Sequence, residues 1–485
     1  MYRKNQRGHD SSCVQKPKYR IFLFSMLLAA ALLSALLTGC RQSKDTLESL
    51  LADTNAAHQK INNDGLKQKF SPRSPVNENG QRITFTEQHA YFGYPDSYDP
   101  DLLLSPEQMK EDVTYLFDSL YACYGNYDRM GGRTAFDKAE QAILEECAEK
   151  APLKAEEFQQ LLLSHLEFVK DSHFTINGVD TNPSQIAFFF RETEFCKTED
   201  GYAAKDGKAV ASVDGYDDLN VLFHRSISPE GEIVYYPVLL KDCLSTDAYA
   251  STQICTDKLT VHYDDGSTQV LQCEPYTLSD LLNTAESDAI PEVNEGDTLP
   301  VCRIYSFMQT DEPEWQEKAQ KGAELLKNSK VGILDMRFNS GGYDDAAMDW
   351  LKEYAGASVP TNALHFEGFF NSQQTDSRDL WIENENVLII LTSKRTASSG
   401  EWLVDAAHNL ENVLVIGENT SGSMLGSAIY VPLKNSNLKI GMGMSQSFIP
   451  SENDYFEEYR GLCPDLWVPA GEAEELANKL IERLT

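Results

Sequence analysis

No two of the ten cysteines form a C-x-x-C pair, and none is spaced with histidine as zinc ligands are, which argues against a zinc site. The chain has no H-E-x-x-H signature and no Walker-type phosphate loop, and no motif calls for a metal or a cofactor. Positive charge is scarce: 42 Lys and Arg stand against 75 Asp and Glu, a formal net charge of −33. Such a surface repels phosphate backbones, so nucleic acid is not an expected partner. At 485 residues the chain is too long for one small core, and two or three domains are expected.

The basic residues that do occur include Lys16, Lys18 and Arg20, placed just before the apolar run Ile21 to Leu37. That run could span a bilayer as an anchor, or serve as an export signal. The segment Leu37-Thr38-Gly39-Cys40 resembles the bacterial lipobox. The resemblance implies a signal peptide over 1–39 and a mature chain that begins at a lipidated Cys40. Such a chain would be held outside the cytoplasm on a bacterial membrane. Eight cysteines remain from Cys123 to Cys463; export permits disulfides, but their pairing is not readable from spacing. Residues 40–85 are polar and read as a tether, with at most a short helix near Thr46 to Leu51.

A helical region follows over 86–185. Ser105-Pro106-Glu107-Gln108 is a helix start with a serine cap, proline in the first turn and a glutamine reaching back. Met109, Val113, Leu116 and Leu120 recur at helical spacing, as do Phe136, Ala139 and Ile143, then Phe158, Leu161, Leu162 and Leu166. The region closes on a polar loop with Asp171, Ser172 and His173. That setting marks His173 among nine histidines, whereas His165 sits beside helix core residues and reads as structural.

From 186 to 285 the pattern turns to strands that close on Asp-Gly turns, at Asp214-Gly215 and Asp265-Gly266. This small β-rich domain reads either as a substrate-holding module or as a spacer. Over 286–485 strands and helices alternate, the signature of a layered α/β domain. Val331 to Met336 is a buried strand followed by Gly341-Gly342, which could be a simple turn or a place where backbone N–H groups approach a carbonyl.

The stretch from Val387 to Glu401 concentrates the chemistry. Five apolar residues form a strand, small hydroxylated residues follow, and a helix begins near Glu401. A hydroxyl at such a junction can meet a substrate while the next backbone N–H groups face developing charge. Ser398 is the candidate nucleophile, although a serine there also serves as a helix cap.

Four ordered segments then resemble one family. They are Asp335 to Gly342, Arg395 to Glu401, Ile416 to Thr420 and Glu458 to Asp465. They are similar to the C-terminal processing and tricorn-core serine peptidases, whose fold is a ClpP/crotonase-like α/β layer. The resemblance implies Ser398 as nucleophile, three residues before Glu401. It also implies oxyanion N–H groups from Ser399 and from Gly341 or Gly342, and a PDZ-like role for 186–285. The processing branch has a lysine base five residues after the glutamate of Gly-Glu-x-Thr, and here that position is Ser423. The tricorn-like branch uses Ser-His and a later glutamate, which implies Ser172, His173 and Glu458. Imidazole, with an unperturbed pKa of about 6.5, suits a base for serine. Lys394, four residues before Ser398, is the runner-up base.

The expected function is a lipid-anchored serine endopeptidase acting on peptides or proteins. Because relatives with this architecture include retinoid-binding proteins, the alternative is a non-catalytic peptide- or ligand-binding lipoprotein on the same scaffold.

Overall fold

A strand buried on both faces cannot alternate apolar and polar residues, and Val387–Thr392 does not: every position is buried. The computed structural model describes residues 46–61, 98–182, 185–242, 254–255, 257–273, 276–277, 289–295, 299–308, 310–367, 381–426, 428–443, 445–448 and 455–485. The export run and Cys40 lie outside the described residues. Among the described residues no helix is long and apolar enough to cross a membrane.

Helix α1 (Leu47–His58) corrects the tether reading, which allowed at most a short helix to Leu51. It runs about two turns further and docks on the body. Leu50 and Leu51 sink into the core beneath the main sheet, Asn55 bonds Asn412, and His58 meets Asp465 at 2.9 Å. The reason is a helical stripe: Leu47, Leu50, Leu51, Thr54 and His58 share one face, while the polar residues around them cover the other.

Helices α2 (Pro106–Cys123), α3 (Gly132–Lys150) and α4 (Ala155–His165) follow. Ser105 caps α2 as the sequence predicts: its hydroxyl accepts from the Gln108 N–H, and the Gln108 side chain accepts from the Ser105 N–H. His165 bonds Glu146 at 2.7 Å and ties α4 to α3. These helices do not close a core alone. Val431, Leu433, Leu438, Ile440 and Met442 from near the end of the chain complete it. The loop after α4 leads into β1 (Thr175–Ile176).

The β-rich region holds β2 (Gln185–Phe189), β3 (Phe195–Thr198), β4 (Gly201–Ala204), β5 (Val210–Val213), β6 (Phe223–Ile227), β7 (Ile233–Asp242), β8 (Lys258–Tyr263) and β9 (Thr268–Gln272). One sheet has the order β2-β7-β3-β4 with β6 also on β7; another is β9-β8-β5, and Ile254–Cys255 pairs with Tyr276–Thr277. Among the described residues of 186–285 there is a 3-10 turn at Leu219–Val221 and no α-helix. An outer core of Phe195, Tyr202, Phe223, Val261 and Leu271 belongs to this region. Its inner edge belongs to the next domain: Ile227 and Ile233 lie under the main sheet, and Phe189 stacks on Trp467 at 5.1 Å. The Ser226 hydroxyl also donates to the Trp467 carbonyl at 2.6 Å.

The α/β layer comprises β10 (Glu292–Asn294), β11 (Val301–Arg303), α5 (Pro313–Lys327), β12 (Val331–Asp335), α6 (Asp344–Ala355), β13 (Val387–Thr392), α7 (Ser399–Ala407), β14 (Val413–Gly417), β15 (Ala428–Pro432), β16 (Lys439–Gly443), β17 (Leu466–Trp467) and α8 (Ala473–Leu484). The sheet order is β10-β11-β12-β13-β14-β17, parallel except for β10. Leu388 and Ile390 face Trp350 of α6 and Leu403 of α7. Val387, Ile389 and Leu391 face Leu476 and Leu480 of α8 and Leu50 of α1. Cys123, Cys147, Cys273, Cys302 and Cys463 take no part in disulfides, and Cys196 is disulfide-bonded.

Because Leu50 is 1% exposed, Leu50→Ala should lower the unfolding free energy by about 2–4 kcal/mol. Urea titration followed by tryptophan fluorescence reads this; a loss below about 0.5 kcal/mol, the range of ordinary surface changes, would mean α1 is not part of the core.

Candidate active site

Strand β13 ends at Thr392, and residues 393–397 turn the chain into α7 with Ser398 at the corner. Ser398 has φ +50° and ψ −120°, a conformation that L-residues avoid and that costs on the order of 1–3 kcal/mol. Its neighbours hold it there. The Ser398 N–H donates to Glu401 Oε2 at 3.1 Å, and the Ser398 carbonyl accepts from the N–H groups of Glu401 and Trp402. One residue back, the Ala397 N–H donates to the Asn339 carbonyl at 2.9 Å.

The Gly341-Gly342 pair lies against this corner, and the approach depends on glycine. A Cβ on Gly341 would stand 2.8 Å from both the Ala397 carbonyl oxygen and Ser398 Cβ, and the φ of +90° disfavours any side chain. Its N–H, however, donates to Asn339 Oδ1 at 2.9 Å. Of the pair expected to offer an oxyanion donor, Gly341 therefore supplies closeness instead. The N–H groups of Gly342 and Ser399 have no acceptor among the described residues. The Ser399 hydroxyl lies 2.7 Å from the Gly342 carbonyl and 2.6 Å from Asp344, joining the two segments.

His173 arrives from the other half of the chain. Its Nε2 lies 3.3 Å from Ser398 Oγ, across 225 positions of sequence. The side chain is 14% exposed, and burial lowers the imidazole pKa to about 4, with Asp344 pulling the other way. The His173 backbone N–H donates to Asp171 Oδ1 at 2.9 Å; Nδ1 stands 3.9 Å from the same oxygen and has no hydrogen-bond partner among the described residues.

Ser172 and Glu458 meet as the sequence predicts. Glu458 Oε1 accepts from the Ser172 N–H at 3.0 Å and from its hydroxyl at 2.8 Å. Burial, reinforced by the nearby Asp171, pushes the Glu458 carboxyl well above the ordinary range. Asp171 is fully buried and accepts from the Tyr124 hydroxyl at 2.8 Å; burial raises it to about 6 against the pull of its hydrogen bonds. Asp171, His173 and Glu458 each present a metal-type donor atom within 4.8 Å of the others. Tyr124, the His173 N–H and Ser172 already occupy most of these carboxylate oxygens, which suits acid–base work better than ligation.

Two further residues complete the site. Glu401 is fully buried and accepts from Ser398, Gly422, Ser423 and the Thr420 hydroxyl, binding the corner to the following loop. The sequence reading used it only as a landmark; its place three residues after a candidate cap is the spacing of a capping pair and was the available signal. Lys394, the runner-up base, has its Nζ within 3.2 Å of four backbone carbonyls and none of its hydrogen bonds reaches Ser398.

Residues 299–468 match the model of peptidase family S41. Solved structures that align with the chain include mature CPAF complexed with lactacystin, at 13% identity and TM-score 0.42, over 78% of this chain and 99% of that one. The photosystem II D1 C-terminal processing protease aligns at 15% identity and TM-score 0.37, over 78% and 99%. The tricorn protease aligns at 12% identity and TM-score 0.36, over 78% and 37%. The family match gives residues 299–468 the character of a serine-type peptidase domain. Its matched segment includes Ser398 and Glu458, while His173 lies outside it.

Two outcomes follow from this geometry. Gly341→Ala should keep its far-UV circular dichroism yet lose roughly 100-fold in kcat by displacing the serine corner; an unchanged kcat would mean the glycine contact is incidental. A neutral, buried imidazole also makes the base available well below neutrality. The kcat/KM profile should therefore rise with pH through a midpoint below 6.5, whereas a midpoint above 7 contradicts the depressed His173.

Proposed function

With the family S41 peptidase domain of residues 299–468 as the premise, we propose that the chain is a lipid-anchored, extracytoplasmic serine endopeptidase using an acyl-enzyme on Ser398. Ser398 Oγ attacks a peptide carbonyl carbon as His173 Nε2 takes its proton. The Ser399 and Gly342 N–H groups, the former at the N-terminus of α7, receive the oxyanion. The C–N bond then breaks, and the imidazolium returns its proton to the leaving amine. Water, deprotonated by the same nitrogen, attacks the ester carbon; the bond to Ser398 Oγ breaks, the imidazolium returns its proton to that oxygen, and the acid leaves.

Glu458 acts through Ser172, and the Asp171 carboxylate faces Nδ1 to stabilise the transient imidazolium. The observation that carries the reading is the 3.3 Å approach of Nε2 to Ser398 Oγ. Because Lys394 spends its donors on carbonyls, histidine is favoured as the base. The export-type N-terminus, the Leu37 to Cys40 segment and the disulfide at Cys196 support a location outside the cytoplasm.

Ser398→Ala and His173→Ala should each lower kcat/KM on a quenched peptide substrate by roughly 10,000-fold or more, with the fold retained. Full activity in either variant would remove its assignment. Failure of a fluorophosphonate to label Ser398 would favour the non-catalytic binder. For the anchor, Cys40→Ser should move the protein out of the detergent phase in a phase-partition assay; retention there would favour an uncleaved span.

A further inference from the structure

We propose that Lys394 is a positioning residue: its ammonium, held by four carbonyls, clamps the 459–460 loop onto the 420–421 loop and thereby keeps Glu458 on Ser172. The proposal rests on the catalytic reading above for its kinetic consequence. A lysine head has three N–H donors and, when charged, no lone pair. Here four oxygens converge on it: Tyr459 at 2.6 Å, Arg460 at 3.0 Å, Thr420 at 3.1 Å and Ser421 at 3.2 Å. A base would need the opposite arrangement, a free lone pair aimed at the serine.

The loop it grips needs holding. Tyr459 has φ +67°, an uncommon conformation for an aromatic residue, and follows Glu458 directly. It rests on Gly422, to whose carbonyl its N–H donates at 2.9 Å; a Cβ on Gly422 would come within 2.4 Å of the Tyr459 nitrogen. Thr420 and Leu462 bond each other through N–H to carbonyl and through N–H to hydroxyl. Glu401 holds the far end of the 420–423 loop and the Ser398 N–H. A continuous path therefore runs from Ser398 through Glu401 and the 420–423 loop, across Lys394, to Tyr459, Glu458 and Ser172.

The charges facing Lys394 are Glu401, Glu418, Glu458 and Arg460. Burial lowers the ammonium to about 8, against the pull of the three carboxylates, so the charged form dominates at neutral pH. Its enclosure in a carbonyl cage accounts for a buried cation that the catalytic steps do not use.

The test is a double-mutant cycle with a pH profile. Lys394→Met should lower kcat roughly 10- to 100-fold with KM nearly unchanged, and should keep the acid limb set by His173. Glu458→Gln should cost a similar factor. The double variant should fall no more than about threefold below the weaker single variant, because both act on one element. Lys394→Arg, which keeps charge and donors, should restore part of the loss. Wild-type kcat in Lys394→Met, or fully multiplicative losses, would overturn the clamp. So would a Lys394→Met rate as low as Ser398→Ala combined with a wild-type rate that climbs through pH 8, the behaviour of a lysine base. If Lys394→Met does not fold, the same cycle is run with Lys394→Arg. Hydrogen exchange at the amides of 459–462 in the Ser398→Ala background judges the clamp without turnover. Faster exchange on adding Lys394→Met supports it and unchanged exchange overturns it, even if the wild-type protein cleaves nothing.

Discussion

The antiparallel pairing of Thr175 and Ile176 with Gly441 and Ile440 carries the imidazole to the serine. Helices α2 to α4 reach the α/β layer through this short join and the hairpin it extends. Gly441 makes it possible, since a Cβ there would lie 2.5 Å from the Thr175 hydroxyl and 3.2 Å from the His173 carbonyl. Gln159 donates to the Ile176 carbonyl, Asp112 accepts from the N–H groups of Asn435 and Ser436, and the Gly125 N–H donates to the Gly443 carbonyl. A slip of one residue in this register would turn each side chain of β1 to the opposite face. The shared apolar core of helices and hairpin opposes such a slip.

Charge inside the site is handled by backbone groups more than by opposite charges. Four donors surround Glu401, four carbonyls surround Lys394, and Asp171 and Glu458 take N–H and hydroxyl donors from residues beside the imidazole. A lone buried ion is costly, and backbone dipoles at fixed positions offset that cost without adding mobile side chains. The same burial holds His173 neutral, which a base requires, and places carboxylates where its charged form can be stabilised.

Much of this was legible in the sequence because local chemistry and global fold agree. The β13 run, the helix cap at Ser105 and the alternation of strands and helices beyond residue 300 each have one sensible reading. Ser398, Ser172, His173 and Glu458 were named from motif positions, and the structure brings all four together. What was not legible depends on contacts between distant segments. The docking of α1 needed the underside of the sheet, and the fusion of the β-rich region needed Trp467 beside Phe189. Gly341 could be recognised as a close-approach glycine, but only coordinates reveal that its N–H is taken by Asn339. Lys394 stood near enough to Ser398 in sequence to suggest a base; the carbonyls that occupy it come from loops 26 and 66 residues away.

The central claim is that one hydroxyl, one imidazole and two backbone N–H groups share a reacting centre, and a crystal structure of the peptide-aldehyde adduct tests it most directly. The account predicts a hemiacetal on Ser398 Oγ, with its oxygen about 3 Å from the Ser399 and Gly342 nitrogens and His173 Nε2 beside the serine oxygen. An aldehyde bound elsewhere, or a hemiacetal oxygen turned away from both N–H groups with the imidazole displaced, would contradict it.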